Sequence, residues 1–179
     1  MVMAMRIQTA ALGTLLAFGL LSAISLSTSA AEPVTNPAIF RGSGLPIPRF
    51  ASLRSDEVNV RTGPGTRYPV DWVFKRKGMP VEIVAEYEVW RKIRDWQGAS
   101  GWVHQSLLTG KRTFIVPNKP VSLHRTPTPS AEVVAKLEPE VTGEIRSCQG
   151  DWCRVSAQGV TGWLARSDFW GVYRAEPIN

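Results

Sequence analysis

The sequence is poor in the side chains that most often carry chemistry. Its 179 residues include two cysteines and two histidines. Neither His104 nor His124 stands beside a credible nucleophile, so catalysis by an imidazole-activated serine or cysteine has little to work with. A zinc site would need two ligands beyond the cysteine pair, and neither histidine lies at a finger-like spacing from it. No metal and no cofactor is expected. A phosphate-binding loop is also missing. Gly63-Pro64-Gly65, within the stretch Val58 to Val70, does not complete Gly-x-x-x-x-Gly-Lys-Ser/Thr or Gly-x-Gly-x-x-Gly, and no helix follows whose amides could face an anion. These glycines suit a turn that needs positive φ or a close chain approach.

Turn and strand formers are abundant instead. With 15 glycines, 13 prolines and 44% hydrophobic residues, many of them Val, Trp, Tyr and Phe, the chain predicts many short strands, an all-β fold rather than disorder. Residues 1–31 are set apart from that fold. Arg6 is followed by an uncharged stretch from Ile7 to Ala31 that is rich in leucine and ends in Ser27-Thr28-Ser29-Ala30-Ala31, the pattern of a signal peptide cut after Ala30 or Ala31. The alternative is an uncleaved inner-membrane anchor, since the run is long enough to span. Export would place the protein in the periplasm, and losing Arg6 with no acid lowers the net charge from +6 to +5. A balance this modest in an exported protein argues against a nucleic-acid partner. In an oxidising compartment, Cys148 and Cys153 around the turn residues Gln149-Gly150-Asp151 fit a hairpin disulfide. Residues 32–49, with Pro33, Pro37, Pro46 and Pro48, read as an extended Pro/Gly-rich tether.

An internal repeat organises the remainder. Trp90-Arg91-Lys92-Ile93 followed by Gly101-Trp102-Val103 is echoed by Trp152-Cys153-Arg154-Val155 followed by Gly162-Trp163-Leu164. Upstream, Val58-Asn59-Val60-Arg61 with Pro64 is matched by Val121-Ser122-Leu123-His124 with Pro127. Two domains follow, at 50–112 and 113–175. Units of this size need a closed or nearly closed barrel to bury an apolar face without exposed edges. Strands are expected near 58–61, 71–75, 80–88, 89–95 and 100–104, then 121–124, 133–137, 141–147, 152–156 and 160–164, with short 3₁₀ turns at 106–108 and 166–169.

The pattern Asn59-Val60-Arg61-x-Gly63-Pro64-Gly65, an aliphatic strand, Trp-x-x-Ile/Val and Gly-Trp-Val/Leu resembles the bacterial SH3-like domain over roughly Arg49 to Arg174. Its doubled form behind a signal sequence resembles exported SH3-repeat proteins of Gram-negative bacteria. The first copy carries the full signature. The second has Thr126 and Thr128 in place of Gly63 and Gly65, and Ala131 in place of Tyr68. The resemblance implies two tandem SH3-like β-barrels. It also implies a target, because such domains are commonly associated with cell-wall peptidoglycan or its peptide stems. Cell-wall cysteine peptidases that carry such domains keep their Cys and His in a separate, larger fold, for which this sequence leaves no room.

Arg61, Arg67 and Tyr68 form the first ligand-binding candidate, an aromatic platform flanked by cations and suited to a peptide or carboxylate. Trp96 is the second, since it occurs only in the first copy, beside the hairpin tip Gln97-Gly98. Each has a plainer alternative: loop packing for the former, contact with the second barrel or the tether for Trp96. Trp90, Trp102, Trp152 and Trp163, at repeated positions, read as core or structural residues. The run Lys75-Arg76-Lys77 reads as a solvated turn. Because its counterpart Glu138-Pro139-Glu140 has the opposite sign, the other reading is a contact between the domains. Glu82, Glu86, Glu88, Glu132, Glu138, Glu140 and Glu144 look like ordinary solvated positions rather than a glycosidase pair. The expected function is that of an exported, non-catalytic module recognising peptidoglycan or its peptide stems through the first barrel. The alternative is an envelope adaptor that binds a partner protein, with Trp170 and Tyr173 of the second copy available for it.

Overall fold

The computed structural model describes residues 42–179, which lie within one compact unit. The expected signal segment 1–31 and most of the tether fall outside the described residues. In chain order the strands are β1 (Arg49–Leu53), β2 (Val58–Arg61), β3 (Val70–Phe74), β4 (Pro80–Tyr87), β5 (Trp90–Arg94), β6 (Ser100–His104), β7 (Leu108–Thr109), β8 (Thr113–Ile115), β9 (Val121–His124), β10 (Val133–Leu137), β11 (Thr142–Gln149), β12 (Trp152–Ala157) and β13 (Val160–Ala165). Single 3₁₀ turns at Gln105–Leu107 and Arg166–Asp168 follow β6 and β13. All described regular structure is strand or 3₁₀ turn, as an all-β fold requires.

Two antiparallel sheets result, ordered β3-β2-β6-β5-β4-β1-β7 and β10-β9-β13-β12-β11-β8. They are two tandem small β-barrels built on one plan. Each bends at the same two places, where the register slips between Val60 and Arg61 or Val133 and Ala135, and between Ile83 and Ala85 or Ile145 and Ser147. Such bulges sharpen the twist that lets a small sheet curl on itself. Val58 and Val60 of β2 and Val121 and Leu123 of β9 point inward between more exposed neighbours, the period-2 pattern of a half-buried strand. Around them, Val81, Ile93 and Val103 fill one core, and Phe114, Val155 and Leu164 the other. The repeated glycine of the Gly-Trp strands has a steric cause. A Cβ on Gly101 would fall 2.4 Å from Val60 Cγ1, and one on Gly162 would fall 2.6 Å from Leu123 Cγ, so only glycine lets these strands close on their neighbours.

Strands β1 and β8 were not expected, because both of their faces are buried and no polar alternation marks them. Ala51 and Leu53 face the first core, whereas Phe50 and Ser52 face the second barrel. The Phe50 ring lies 4.8 Å from Trp170, edge-on, and 4.7 Å from Tyr173. Ser52 Oγ shares a 2.6 Å hydrogen bond with Thr113 Oγ1, and Tyr173 donates its phenolic proton to Glu82 Oε1 at 2.7 Å. The repeats are therefore packed against each other through aromatic rings and satisfied polar groups. The end of the proline-rich segment is held too. Ser43 donates through its amide and hydroxyl to Glu86, and Arg49 pairs with the same carboxylate at 2.5 Å. Polar pinning orders 42–48 where burial alone could not.

At the far end of the second sheet, Cys148 and Cys153 face each other in register across β11 and β12, Cα atoms 4.0 Å apart, and are joined as a disulfide.

Candidate ligand-binding site

The end of β2 and the loop that joins it to β3 hold three of the four ligand-binding candidates. The loop backbone is closed by hydrogen bonds from Thr62 N to Pro69 O, from Gly65 N to Gly63 O and from Tyr68 N to Gly65 O. Arg61, the last residue of β2, turns its guanidinium back into this loop and donates to the carbonyls of Tyr68 (2.7 Å) and Thr66 (3.2 Å). Arg61 thus organises the loop, with Nη1 committed to two loop carbonyls. Tyr68 lays its ring over Gly63 and Gly65. Neither glycine has positive φ, so of the two roles expected for them only the close approach applies. Arg67 is exposed, with its guanidinium carbon 5.1 Å from the Tyr68 ring centroid and a 3.3 Å bond to the Tyr68 hydroxyl. That hydrogen bond is the main cause of an upward shift in the already high Arg67 pKa. The outcome is a ring with one face on glycine, carrying a permanent cation beside it.

The loop between β9 and β10 repeats the skeleton without the chemistry. Arg125 N bonds Glu132 O, Thr128 N bonds Thr126 O, and Ala131 N bonds Thr128 O. His124, at the position of Arg61, places Nδ1 3.0 Å from the Ala131 carbonyl. No ring stands on this loop, and Arg125 is taken up by a two-point pair with Glu132. The platform is a property of the first repeat alone.

Trp96 sits in the hairpin between β5 and β6. The Asp95 carboxylate caps that turn, accepting from the amides of Gln97 and Ala99, and Trp96 is half-buried. In the second repeat the corresponding turn shrinks to Gln158-Gly159, both at positive φ, which leaves no place for such a residue. Because Arg61 pairs with Trp102 across β2 and β6, the residues after Arg61 and those before Ser100 leave the sheet at the same end. The Tyr68 loop and the Trp96 hairpin therefore share one end of the first barrel.

Several other expectations change. Trp102 and Trp163 are half-buried rather than core, and the one tryptophan among the core residues is Trp90, edge-on to His104 at 5.5 Å. Trp170 and Tyr173, offered as adaptor contacts, are committed to Phe50. Glu82 and Glu86 are not solvated: their side chains are 6% and 7% exposed, paired with Arg94, and with Arg49 and Arg91, respectively. The basic run divides: Lys75 pairs with Glu57, Arg76 donates to the Glu140 carbonyl at 2.6 Å, and Lys77 stays exposed. The opposite turns do meet, through a backbone oxygen rather than a carboxylate. His104 does have a hydroxyl beside it, Ser106 Oγ at 2.7 Å from Nδ1. The same nitrogen accepts from the Ser106 amide, capping the 3₁₀ turn. Among the described residues no group of three or more His, Cys, Asp or Glu converges to hold a metal ion.

Compared with known proteins, residues 54–110 and 118–171, more than half of the chain, each match the model of the bacterial SH3 domain. The chain belongs to the bacterial SH3 domain family. The chain is similar to a protein named "Putative N-acetylmuramoyl-L-alanine amidase YrvJ" from Bacillus subtilis (strain 168). The identity is 28% over 126 residues, 64% of this chain and 24% of that protein. This chain thus spans about a quarter of that relative. Among solved structures, NlpC1 and NlpC2 from Trichomonas vaginalis align at TM-scores of 0.32 and 0.34 with 11% and 10% identity. The alignments cover 73% and 72% of this chain and 48% and 50% of theirs. At those scores neither likeness bears on function.

The residues that sequence reasoning missed in these SH3 repeats are those whose partners lie far along the chain: Glu82 with Tyr173, Glu86 with Ser43 and Arg49, Phe50 with Trp170. The unalternated stretch Arg49–Leu53 was the one local signal available, since a strand buried on both faces lacks polar punctuation.

Proposed function

We propose that the protein is an exported, non-catalytic module that binds cell-wall peptidoglycan or its peptide stems through the first SH3 repeat, with Tyr68 and Arg67 as contact residues, Arg61 as their support and Trp96 as a neighbouring contact. The observation that carries this is the comparison of the two loops. On one backbone skeleton the first repeat presents a ring with an adjacent unpaired cation, and the second presents neither. A half-buried aromatic ring with an exposed guanidinium beside it suits a ligand that has both apolar surface and carboxylates. The similarity to a protein named as a wall amidase supports the wall as the target, and the family assignment supports a binding role.

A non-catalytic role is supported by how the reactive groups are used. Both cysteines are joined, His124 holds a loop carbonyl, His104 caps a turn, and Glu82 and Glu86 are tied to arginines. Action as an adaptor for a partner protein is less well supported, because Trp170 and Tyr173 are already occupied. Periplasmic residence, with membrane contact only if residues 1–31 are retained, completes the proposal.

Co-sedimentation of the purified protein with isolated peptidoglycan sacculi, at low and moderate salt, tests it. Pelleting that survives moderate salt and is lost in a Tyr68→Ala, Trp96→Ala double variant is expected. Absence of pelleting at either salt overturns the wall target, and undiminished pelleting of the double variant overturns the site.

A further inference from the structure

We infer that the cleft between the two SH3 repeats is a second, anionic-ligand site, which takes the carboxylates of a peptide stem. The cleft holds about 480 Å³, within the usual range for small-ligand sites. Arg54 and Lys77 from the first repeat and Lys111 from the connection line it, facing Thr142 and Glu144 of the second repeat. All three cations are exposed and, among the described residues, have no side-chain ion pair or hydrogen bond, whereas Glu144 is paired with Arg146 at 3.0 Å.

The cations are nevertheless anchored at their backbones, each to β1 or its end. Gly78 N bonds Leu53 O at 2.9 Å, fixing the Lys77 turn, and Arg54 N bonds Leu107 O at 2.8 Å. Ser52 Oγ donates to the Lys111 carbonyl at 2.7 Å while it also bonds Thr113. Three positive side chains thus leave three separate segments at fixed roots and share one cavity, and the one acid among its described lining residues, Glu144, is already paired, so that it does little to relieve their mutual repulsion. A ligand with more than one negative group relieves it. This placement also accounts for Lys77, the member of the basic run without a partner. The choice of a peptide stem over other anions rests on the proposed wall target; the presence of an anion site does not.

The test is calorimetric titration of the full chain with the soluble peptide L-Ala-γ-D-Glu-meso-diaminopimelate, with its carboxyl-amidated form, and with inorganic phosphate, repeated on an Arg54→Ser, Lys77→Ser, Lys111→Ser variant whose fold is checked by circular dichroism. The expected result is binding of the free peptide that weakens at least tenfold on amidation and at least tenfold in the triple variant. Equal binding by both proteins, insensitivity to amidation, or no binding overturns the carboxylate assignment, as does phosphate binding as tightly as the peptide. The two proposals fail separately. Undiminished sacculus pelleting of the Tyr68, Trp96 variant with cation-dependent peptide binding intact removes the first-repeat site and leaves this cleft standing. Normal pelleting with peptide binding indifferent to the three cations removes the cleft alone.

Discussion

The ring of Tyr68 occupies the space that a methyl group on Gly63 would need: a Cβ there would stand 2.4 Å from Tyr68 Cδ1 and 2.6 Å from Cε1. In the second repeat both partners change together, to Thr126 and Ala131. Gly63→Ala is therefore expected to lift the ring and cost about 1–3 kcal/mol, the usual range for overpacking, with loss of sacculus pelleting. Tyr68→Ala should relieve that cost in the double variant, a coupling that chemical denaturation would read directly. Additive losses would show that the ring does not rest on the glycine.

Burial distinguishes the tryptophans that the repeat makes look equivalent. Trp90 is 9% exposed and packed edge-on to His104, whereas Trp102 and Trp163 are half-buried. Trp90→Ala should cost about 3–5 kcal/mol, and Trp102→Ala clearly less. Denaturation midpoints in guanidinium measure both, and a larger loss at Trp102 would contradict the packing.

These cases show where the sequence is informative. The barrel strands were legible because β2, β9 and the Gly-Trp strands advertise themselves through local alternation and turn residues. The meeting of Arg67 with Tyr68 was legible because the two are adjacent, whereas the turn of Arg61 back onto the loop carbonyls was not. Burial of Trp90 over Trp102 depends on which face of a strand meets the core, and both residues start or flank similar motifs. The long-range partners of Glu82 and Glu86 are brought from elsewhere: Arg49, the ion-pair partner of Glu86, lies 37 positions from it, and Tyr173, which donates a hydrogen bond to Glu82, lies 91 from it. No local pattern encodes such distances.

The clasp on residues 42–48 should open in acid. Burial raises the Glu86 pKa, but hydrogen bonds from Ser43 and Arg49 outweigh it and hold the carboxyl below its ordinary value of 4.5. A depressed folded value means that the stabilisation is present above about pH 4.5 and is lost as pH falls through the lower folded pKa. Hydrogen exchange should therefore show Ser43 protected at pH 6 and released in strong acid, and Glu86→Gln should release it at pH 6. Protection unchanged by acid would exclude the clasp.

The opposite dependence belongs to the contact between the repeats. Burial, and then the hydrogen bond to the Glu82 carboxylate, push the Tyr173 phenol far above its ordinary value of 10.0. Here the folded value is raised, so the contribution is complete below about pH 10 and is lost as alkali ionises the phenol. The chain has three tyrosines. An absorbance titration of the folded protein should show a late phenol ionisation, and that late step should vanish in Tyr173→Phe. Because Tyr173 also packs on Phe50, its ionisation forces a charge against both the Glu82 carboxylate and an apolar ring. The alkaline transition should therefore separate the repeats before either core melts, visible as a rise in Trp170 exposure to a soluble quencher while circular dichroism is still that of folded strands. Simultaneous loss of both signals would mean that the barrels depend on this contact for their own folding.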